Sequence, residues 1–338
     1  MTIGWSIVGI GHFADHAIGP AMGKATDTKL IAVCSRSMER ARIFSEKHRA
    51  QRAYDSFEKM LGDPEVEAVY IAAPNHLHAA LTVQAAEAGK HVLCEKPMAL
   101  TVAEGERMIE ACDKHGVKLG VGYPNRYHPA HVEAARCIDS GMLGEISLAR
   151  AQFCRGLSRG LWKGWKVDPA LAGSGALAGQ AVHPIDLLRF LLKSEVKEVR
   201  ALTDEEPPHR LVDDMVYAIL RFENGVDAVV ISGMLAPRSD DELALYGTRA
   251  KLACKDTFFA GQTSMGELLV NGDTLQMRMS FSNDHPVHAR SAWVIEAFNK
   301  CIKENADLSI SGYNGLQMVK VATAILESSR QGKAVQIR

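Results

Sequence analysis

The chain has 338 residues, of which 47% are hydrophobic and 23% charged, with a formal net charge of −1. That length holds a sizeable core and two domains, while the near-zero charge gives no electrostatic reason for nucleic acid or an anionic membrane as partner. No apolar run reaches bilayer length. The seven cysteines, at 34, 94, 112, 137, 154, 254 and 301, include no Cys-x-x-Cys, and their odd number argues against a disulfide framework. With a first strand entered by Ile3 there is no space for a signal peptide, so the expected location is a reducing cytoplasm.

Ile3 to Val8 reads as a short strand, followed by Gly9-Ile10-Gly11-His12-Phe13-Ala14. In Gly-x-Gly-x-x-Ala the first glycine permits a tight turn and the second lets backbone approach a pyrophosphate. The small third residue permits close helix packing, and the helix presents free N–H groups to phosphate. Leu30 to Cys34 reads as the second strand, ending in Cys34-Ser35-Arg36-Ser37. A carboxylate there would bind the ribose 2′-hydroxyl of NAD(H) and repel a 2′-phosphate; none is present. Ser35 can donate to a phosphate, and Arg36 and Arg40 can pair with one. These residues favour NADP(H) over NAD(H).

Met38 to His48 has helical composition, and Val66 to Ile71 is a further strand closed by Ala72-Ala73-Pro74-Asn75-His76. Asn75 is a suitable cap for the helix through Leu81 to Ala88, which Gly89 stops. His78 lies in its first turn, where capping, packing and cofactor contact are all open. His91-Val92-Leu93-Cys94-Glu95-Lys96-Pro97 then runs from strand to turn. A lysine at the carboxyl end of a sheet strand stands where open α/β sheets bind ligands, and the proline ends regular pairing. A helix from Thr101 to His115 and a strand from Val117 to Val121 complete an alternation typical of a doubly wound parallel sheet.

Gly120 to Tyr127 marks the exit from that sheet, so the expected domains are 1–122 and 123–338, with the C-terminal helix free to pack back on the first. Asn125 and Arg126 can meet a hydroxylated substrate or simply form a connection. The pairs His128/His131 and His285/His288 lack a third ligand at metal spacing, so no metal is expected. A strand opens at Gly144, and Trp165 lies in a loop rich in aromatics and cations. Further on, Gly173-x-Gly175 leads through Gly179-Gln180 to His183, with Ile185, Leu188 and Leu192 at helical spacing behind it. Val216–Phe222, Val226–Ser232, Leu243–Tyr246 and Lys251–Cys254 read as strands of a largely antiparallel sheet, and helices over 288–304 and 315–330 close the chain.

Four landmarks stand in one order: Gly9-x-Gly11-x-x-Ala14, Glu95-Lys96-Pro97, Trp165-Lys166-x-Asp168-Pro169, and Gly173-x-Gly175 leading to His183-x-x-Asp186. Together with Tyr246-Gly247-Thr248 and Ser328-x-x-x-Gly332-Lys333, they resemble the glucose–fructose oxidoreductase/inositol dehydrogenase (Gfo/Idh/MocA) family along essentially the whole chain. Gly164-Trp165-Lys166 and the stretch from Val182-His183 to Phe190 are most similar to its NADPH-dependent anhydrosugar reductases. The resemblance implies an α/β protein with an N-terminal Rossmann domain, a doubly wound parallel sheet. The second, α+β domain would carry a large, mostly antiparallel open sheet, commonly used to form homodimers or homotetramers. It also implies hydride transfer between nicotinamide and a carbon of a sugar, anhydrosugar or polyol. Carried onto this chain, Lys96 stands beside the nicotinamide and the reacting oxygen, and His183 is the second proton-handling group. Glu95, Pro74, Asn75 and His78 shape the cofactor pocket with Gly9, Gly11, His12, Phe13 and Ala14. Trp165 serves both ligands, and Tyr123, Asn125, Arg126 and Gln180 line the substrate cleft.

Chemistry supports these roles separately. Reducing a ketone leaves an alkoxide, which an ammonium or imidazolium within hydrogen-bond reach can stabilise and protonate. Many family members carry an aspartate four residues before the histidine; here that position is Gly179. His183 thus lacks the usual carboxylate partner, which shifts weight to Lys96. Two further readings remain: a nicotinamide-dependent lyase or glycoside-cleaving enzyme working through transient oxidation, and a non-catalytic NADP(H)-binding sensor.

Overall fold

The computed structural model describes residues 2–155, 163–205, 211–236, 241–258, 265–282 and 287–337. Leu161, Trp162 and His285 lie outside them. The chain forms two compact units, Met1–Pro124 with Pro286–Val319 and Asn125–His285 with Lys320–Arg338. The division falls near residue 124, and a late helical segment, 286–319, returns to the first unit.

The first unit contains a six-stranded sheet built from β1 (Ile3–Val8), β2 (Thr28–Cys34), β3 (Arg52–Tyr54), β4 (Ala68–Ile71), β5 (His91–Cys94) and β6 (Leu119–Val121). Its order is β3-β2-β1-β4-β5-β6, with every pairing parallel. All six residues of β1 are buried, as both faces of a parallel sheet require. The short, polar β3 gives no apolar run, which is why its sequence conceals it. The helix Val102–Lys114 starts with a capping box: Thr101 Oγ1 accepts from the Glu104 N–H, and the Glu104 carboxylate accepts from the Thr101 N–H.

The returning helix Val287–Glu304 joins this unit through its apolar face and one polar knot. The Phe298 and Trp5 rings pack 5.6 Å apart. Trp5 Nε1 donates to Asn299 Oδ1 at 2.9 Å, and Asn299 Nδ2 donates to the Thr26 carbonyl and Thr28 Oγ1 at 2.9 and 2.8 Å. A buried indole N–H needs such a partner.

The second unit contains a nine-stranded sheet: β7 (Ile146–Cys154), β8 (Val196–Thr203), β9 (Met215–Phe222), β10 (Asp227–Gly233), β11 (Glu242–Gly247), β12 (Ala250–Lys255), β13 (Met265–Gly272), β14 (Gln276–Ser282) and β15 (Val335–Gln336). Its order is β14-β13-β12-β11-β7-β10-β9-β8-β15, antiparallel except where β7 and β10 run parallel. The alternating polar residues of β8 and β14 belong to strands with one wet face, and that polarity hides them from a search for apolar runs. The helix Val182–Leu192 packs against β7 and its π-helical lead-in Leu177–Ala181 against β10.

Asn299→Ala removes one acceptor and one donor from the knot and leaves the Trp5 N–H buried and unpaired. Unfolding of the full chain by urea should show a loss of about 2–4 kcal/mol, and a variant within 0.5 kcal/mol of the parent (about the scatter of surface substitutions) would show the knot to be incidental.

Candidate active site

In the first unit the order of the sheet reverses between β1 and β4, so the ends of these strands form a topological switch point. Gly9, directly after β1, has φ +89°, and a Cβ there would lie 2.4 Å from the Ala73 backbone nitrogen. Glycine is required at this spot by a neighbouring turn of the protein. Gly11 differs: a Cβ there would meet no protein atom within 4 Å. The space beside it is a cradle of the kind a pyrophosphate occupies, and Ala14, 1% exposed, gives the close helix contact. The helix is not a regular α-helix from its start. A π-helical turn spans Ala14–Ile18, entered from His12 and the exposed Phe13, before Gly19–Met22 continues as α-helix.

Beyond β2, Ser35 Oγ accepts from the Ser37 N–H at 3.4 Å, and Ser37 caps the helix Met38–His48. The Arg40 guanidinium donates to the Ile10 carbonyl at 3.4 Å, which draws it toward the glycine loop, while the Arg36 side chain is exposed. Pro74 and Asn75 form the turn after β4. Asn75 begins a 3₁₀ turn, Asn75–Leu77, with no side-chain cap bond, so the expectation that it caps the following helix is corrected.

His78 is 0% exposed, and its ring bonds Nδ1 to the Pro97 carbonyl and Nε2 to the Ala73 carbonyl, both at 2.8 Å. With both ring nitrogens facing backbone carbonyls and no exposed surface, it is placed for packing between the turn after β4 and the turn after β5. Burial, the largest influence, lowers its pKa, and the two carbonyl bonds act in the opposite direction.

Lys96 stands in that second turn, between the strand end and a cis Lys96–Pro97 bond. The Glu95 N–H donates to the Ile71 carbonyl at 2.9 Å, and the Gly122 N–H to the Cys94 carbonyl at 2.9 Å. The Glu95 carboxyl accepts from the Tyr70 hydroxyl at 2.5 Å and from the Lys96 backbone N–H at 3.3 Å. A Cβ on Gly122 would come within 3.1 Å of this carboxyl. Burial raises the Glu95 pKa, opposed by the Tyr70 bond and the charge of Lys96. Tyr123, in the same unit, is 1% exposed.

In the second unit, Pro124–Tyr127 is a short 3₁₀ turn in which Asn125 and Arg126 are each 4% exposed. Arg126 meets Asp186 in a two-pronged pair, Nε to Oδ2 at 2.8 Å and a terminal nitrogen to Oδ1 at 2.6 Å, with Phe190 under the guanidinium. Arg189 lies 3.5 Å from the same Asp186 oxygen and pairs with Glu195 at 2.6 and 2.8 Å. The expectation that Arg126 binds substrate is therefore corrected. Its fork is matched to a carboxylate three residues after His183, and it braces that helix. Asn125 likewise presents its carbonyl to His131 Nδ1 at 2.7 Å, and His131 Nε2 lies 2.8 Å from Thr257 Oγ1.

His183 is partly exposed at the start of an otherwise well-buried helix, with the Phe153 ring edge-on at 6.2 Å. Gln180, 5% exposed, has an Oε1 that no described residue hydrogen-bonds. Trp165 is half-buried in a short turn, Gly164–Val167, with Lys166 over its ring at 5.8 Å. Asp168 caps the next turn by accepting from the Ala170 N–H at 2.9 Å, which explains the Asp-Pro of that landmark.

Asp213 is missing from the sequence expectations. It is 0% exposed; its carboxylate accepts from Gly175 and Leu177 N–H groups at 2.7 and 2.6 Å, and its carbonyl from the Ala176 N–H at 2.8 Å. One residue thus holds three successive N–H groups at the entry to the His183 segment. Burial raises its pKa to about 6, with the N–H bonds opposing. Only the adjacent Asp213-Asp214 before a strand hinted at it, since two carboxylates there need buried partners.

Because its folded pKa exceeds the ordinary value of 3.8, the native state holds the Asp213 proton more tightly than the unfolded chain. Its contribution to stability is fully present below pH 3.8 and is lost as pH rises through about 6. Unfolding free energies of the parent, compared with Asp213→Asn at pH 7.5 and 5 (on the order of one unit either side of that titration), should show an acid-side gain in the parent that the variant lacks. Parallel pH profiles would contradict it.

Two family descriptions match the chain. An oxidoreductase family with an NAD-binding Rossmann fold, GFO/IDH/MocA, matches residues 3–123, and the GFO/IDH/MocA C-terminal domain matches residues 131–253. An uncharacterised oxidoreductase of Rhizobium meliloti is 32% identical over 97% of both chains. The 1,5-anhydro-D-fructose reductase of Ensifer adhaerens is 28% identical over 98% of both. Among solved structures, the aldose-aldose oxidoreductase of Caulobacter crescentus, complexed with glycerol, superposes with a TM-score of 0.88 at 26% identity, covering 99% of this chain and 100% of its own. With a parallel Rossmann sheet, a second mostly antiparallel sheet and family matches in both units, the chain belongs to the GFO/IDH/MocA oxidoreductase family.

Proposed function

We propose that the protein is an NADP(H)-dependent oxidoreductase acting on a CH–OH or carbonyl carbon of a sugar, anhydrosugar or polyol. The observation that carries this reading is the fixed turn at Lys96, placed at the carboxyl end of β5 in a sheet whose switch point holds the Gly11 cradle. Bound nicotinamide supplies or accepts the hydride. Gly9, Gly11, His12, Phe13 and Ala14 hold the pyrophosphate side, with Pro74, Asn75 and Glu95 shaping the rest of the cofactor site. Arg36, exposed after β2, and Arg40, drawn toward Ile10, supply two cations where a 2′-phosphate would need them. Ser35 adds a hydroxyl, and no carboxylate stands in Cys34-Ser35-Arg36-Ser37 to repel that phosphate.

Lys96 is the principal proton donor and acceptor. As an ammonium it stabilises the oxyanion formed on reduction and protonates it; as an amine it takes the proton in the reverse direction. His183 assists, with Gly179 four residues before it in the chain. Tyr123, Asn125, Trp165 and Gln180 belong to the substrate side of this reading, the free Oε1 of Gln180 being suited to accept from a hydroxyl. The anhydrosugar reductase relative and the 27% identical levoglucosan dehydrogenase of Pseudarthrobacter phenanthrenivorans support the substrate class.

The same reading includes a homo-oligomer assembled through the large sheet. Tyr217 and Ile219 of β9, Val229 of β10, Leu148 of β7 and Leu202 of β8 are 39–63% exposed on one side of adjoining strands. Apolar side chains gathered in this way suit burial against a second copy. Ile219→Asp should lower the mass measured by sedimentation at micromolar concentration; an unchanged mass would remove this face as the interface.

A matched NADPH/NADH screen over sugars, anhydrosugars, aldonates and cyclitols tests the activity. Turnover should favour NADPH, and Lys96→Ala should lower kcat about 10²–10⁴-fold while NADPH binding, followed by fluorescence, persists. Full turnover in Lys96→Ala would defeat the proton role. Product formation with the cofactor regenerated in place would favour the lyase reading.

A further inference from the structure

Tyr70 is a polar side chain in an otherwise aliphatic, fully buried strand, and it is 1% exposed. Its ring packs against Trp5 at 6.5 Å, and its hydroxyl donates to Glu95 Oε1 at 2.5 Å. The other carboxyl oxygen, Oε2, accepts from the backbone N–H of Lys96 at 3.3 Å. A hydroxyl on a central strand of the sheet is thereby connected through one carboxyl group to the turn that carries the amine.

We propose that Tyr70 is a positioning residue for Lys96: its hydrogen bond keeps the Glu95 carboxyl ionised and directed at the Lys96 turn, which favours the ammonium form of Lys96. The proposal rests on Lys96 being the proton-handling group, and it adds the source of that group's protonation state. A carboxylate shut away from water reverts to the neutral acid unless donors and a nearby cation hold its charge. Glu95 has one donor from each side: Tyr70 from β4 below, and the Lys96 N–H from its own turn. Burial raises the Glu95 pKa, whereas the Tyr70 bond and the Lys96 charge lower it. The titratable groups facing the pair are Cys94 at the end of β5 and Lys96 itself. From the other elements come the apolar face of Trp5 on β1 and the bare backbone of Gly122 after β6. Deleting the phenol oxygen makes the carboxyl take up a proton, and the neighbouring amine then loses a counter-charge.

Trace acetylation of the full chain across pH, with each lysine quantified by mass spectrometry, reports the titration of Lys96 without any substrate. In Tyr70→Phe the free-amine fraction of Lys96 at neutral pH should rise about tenfold, one pKa unit, while Lys90 and Lys118 remain as in the parent. Glu95→Gln should raise it at least as far, and adding Tyr70→Phe to Glu95→Gln should change nothing more, because the two residues act in series. A Lys96 titration unmoved by either single change, or fully additive effects, would overturn the proposal. If Tyr70→Phe does not fold, Glu95→Gln alone decides, since it keeps the tyrosine. The reading of Lys96 as proton donor fails separately: full turnover in Lys96→Ala would remove that role and leave the labelling result intact.

Discussion

Two carbonyl oxygens that face a single buried imidazole mark the turn that carries Lys96. His78 lies between the Ala73 and Pro97 carbonyls, each 2.8 Å from a ring nitrogen, so it packs the chain leaving β4 against the chain leaving β5. A neutral ring donates through one nitrogen at a time and an imidazolium through both. Burial opposes the second proton, and two acceptors favour it. Lys96 sits inside this bracket, with Pro97 on one side and the buried Glu95 carboxyl on the other. An amine on a flexible four-carbon stem gains a defined starting point because its backbone is held at both ends.

The second unit achieves the same end with charges. Arg126, Asp186, Arg189 and Glu195 form a continuous run of paired ions, with exposures as low as 1% at Asp186. Breaking one member of such a run leaves a buried charge unpaired, which is strongly destabilising. Asp186 and Arg189 sit on the helix Val182–Leu192 that carries His183, while Asp213 secures the segment leading into it. His183 is thus placed by backbone contacts on its N-terminal side and ion pairs on its C-terminal side.

Much of this was legible in the sequence, and what was hidden has physical causes. Gly9 and Ala14 declared themselves because each needs a small residue for its own steric reason, at fixed spacing with Gly11 between them. β1, β2, β4 and β5 declared themselves as short buried runs. The parts that depend on long-range partners did not. Arg126 in a polar turn looks identical whether it meets a substrate or Asp186, sixty positions later in the chain. His78 in a first helical turn gives no sign that two distant carbonyls converge on its ring. Tyr70 was passed over because a single polar residue in an apolar stretch does not name its partner, and the Asp213-Asp214 pair names none either. The strands β8, β13 and β14 alternate polar and apolar residues on an open sheet, where burial is shared with water.

The return of residues 286–319 to the first unit has a consequence for how the molecule is made. The nucleotide-binding sheet is encoded in the opening third of the chain, yet the Trp5 indole finds its acceptor only in Asn299. A ribosome delivering the polypeptide from its beginning exposes an unfinished unit, with that indole and the face that Phe298 covers still wet, until more than 160 intervening residues have emerged. Closure over so long a span is entropically slow and leaves sticky surface on view meanwhile. A fragment ending at residue 124 is accordingly a poor stand-in for the nucleotide-binding half, and grafting that half onto another protein requires both of its separated pieces.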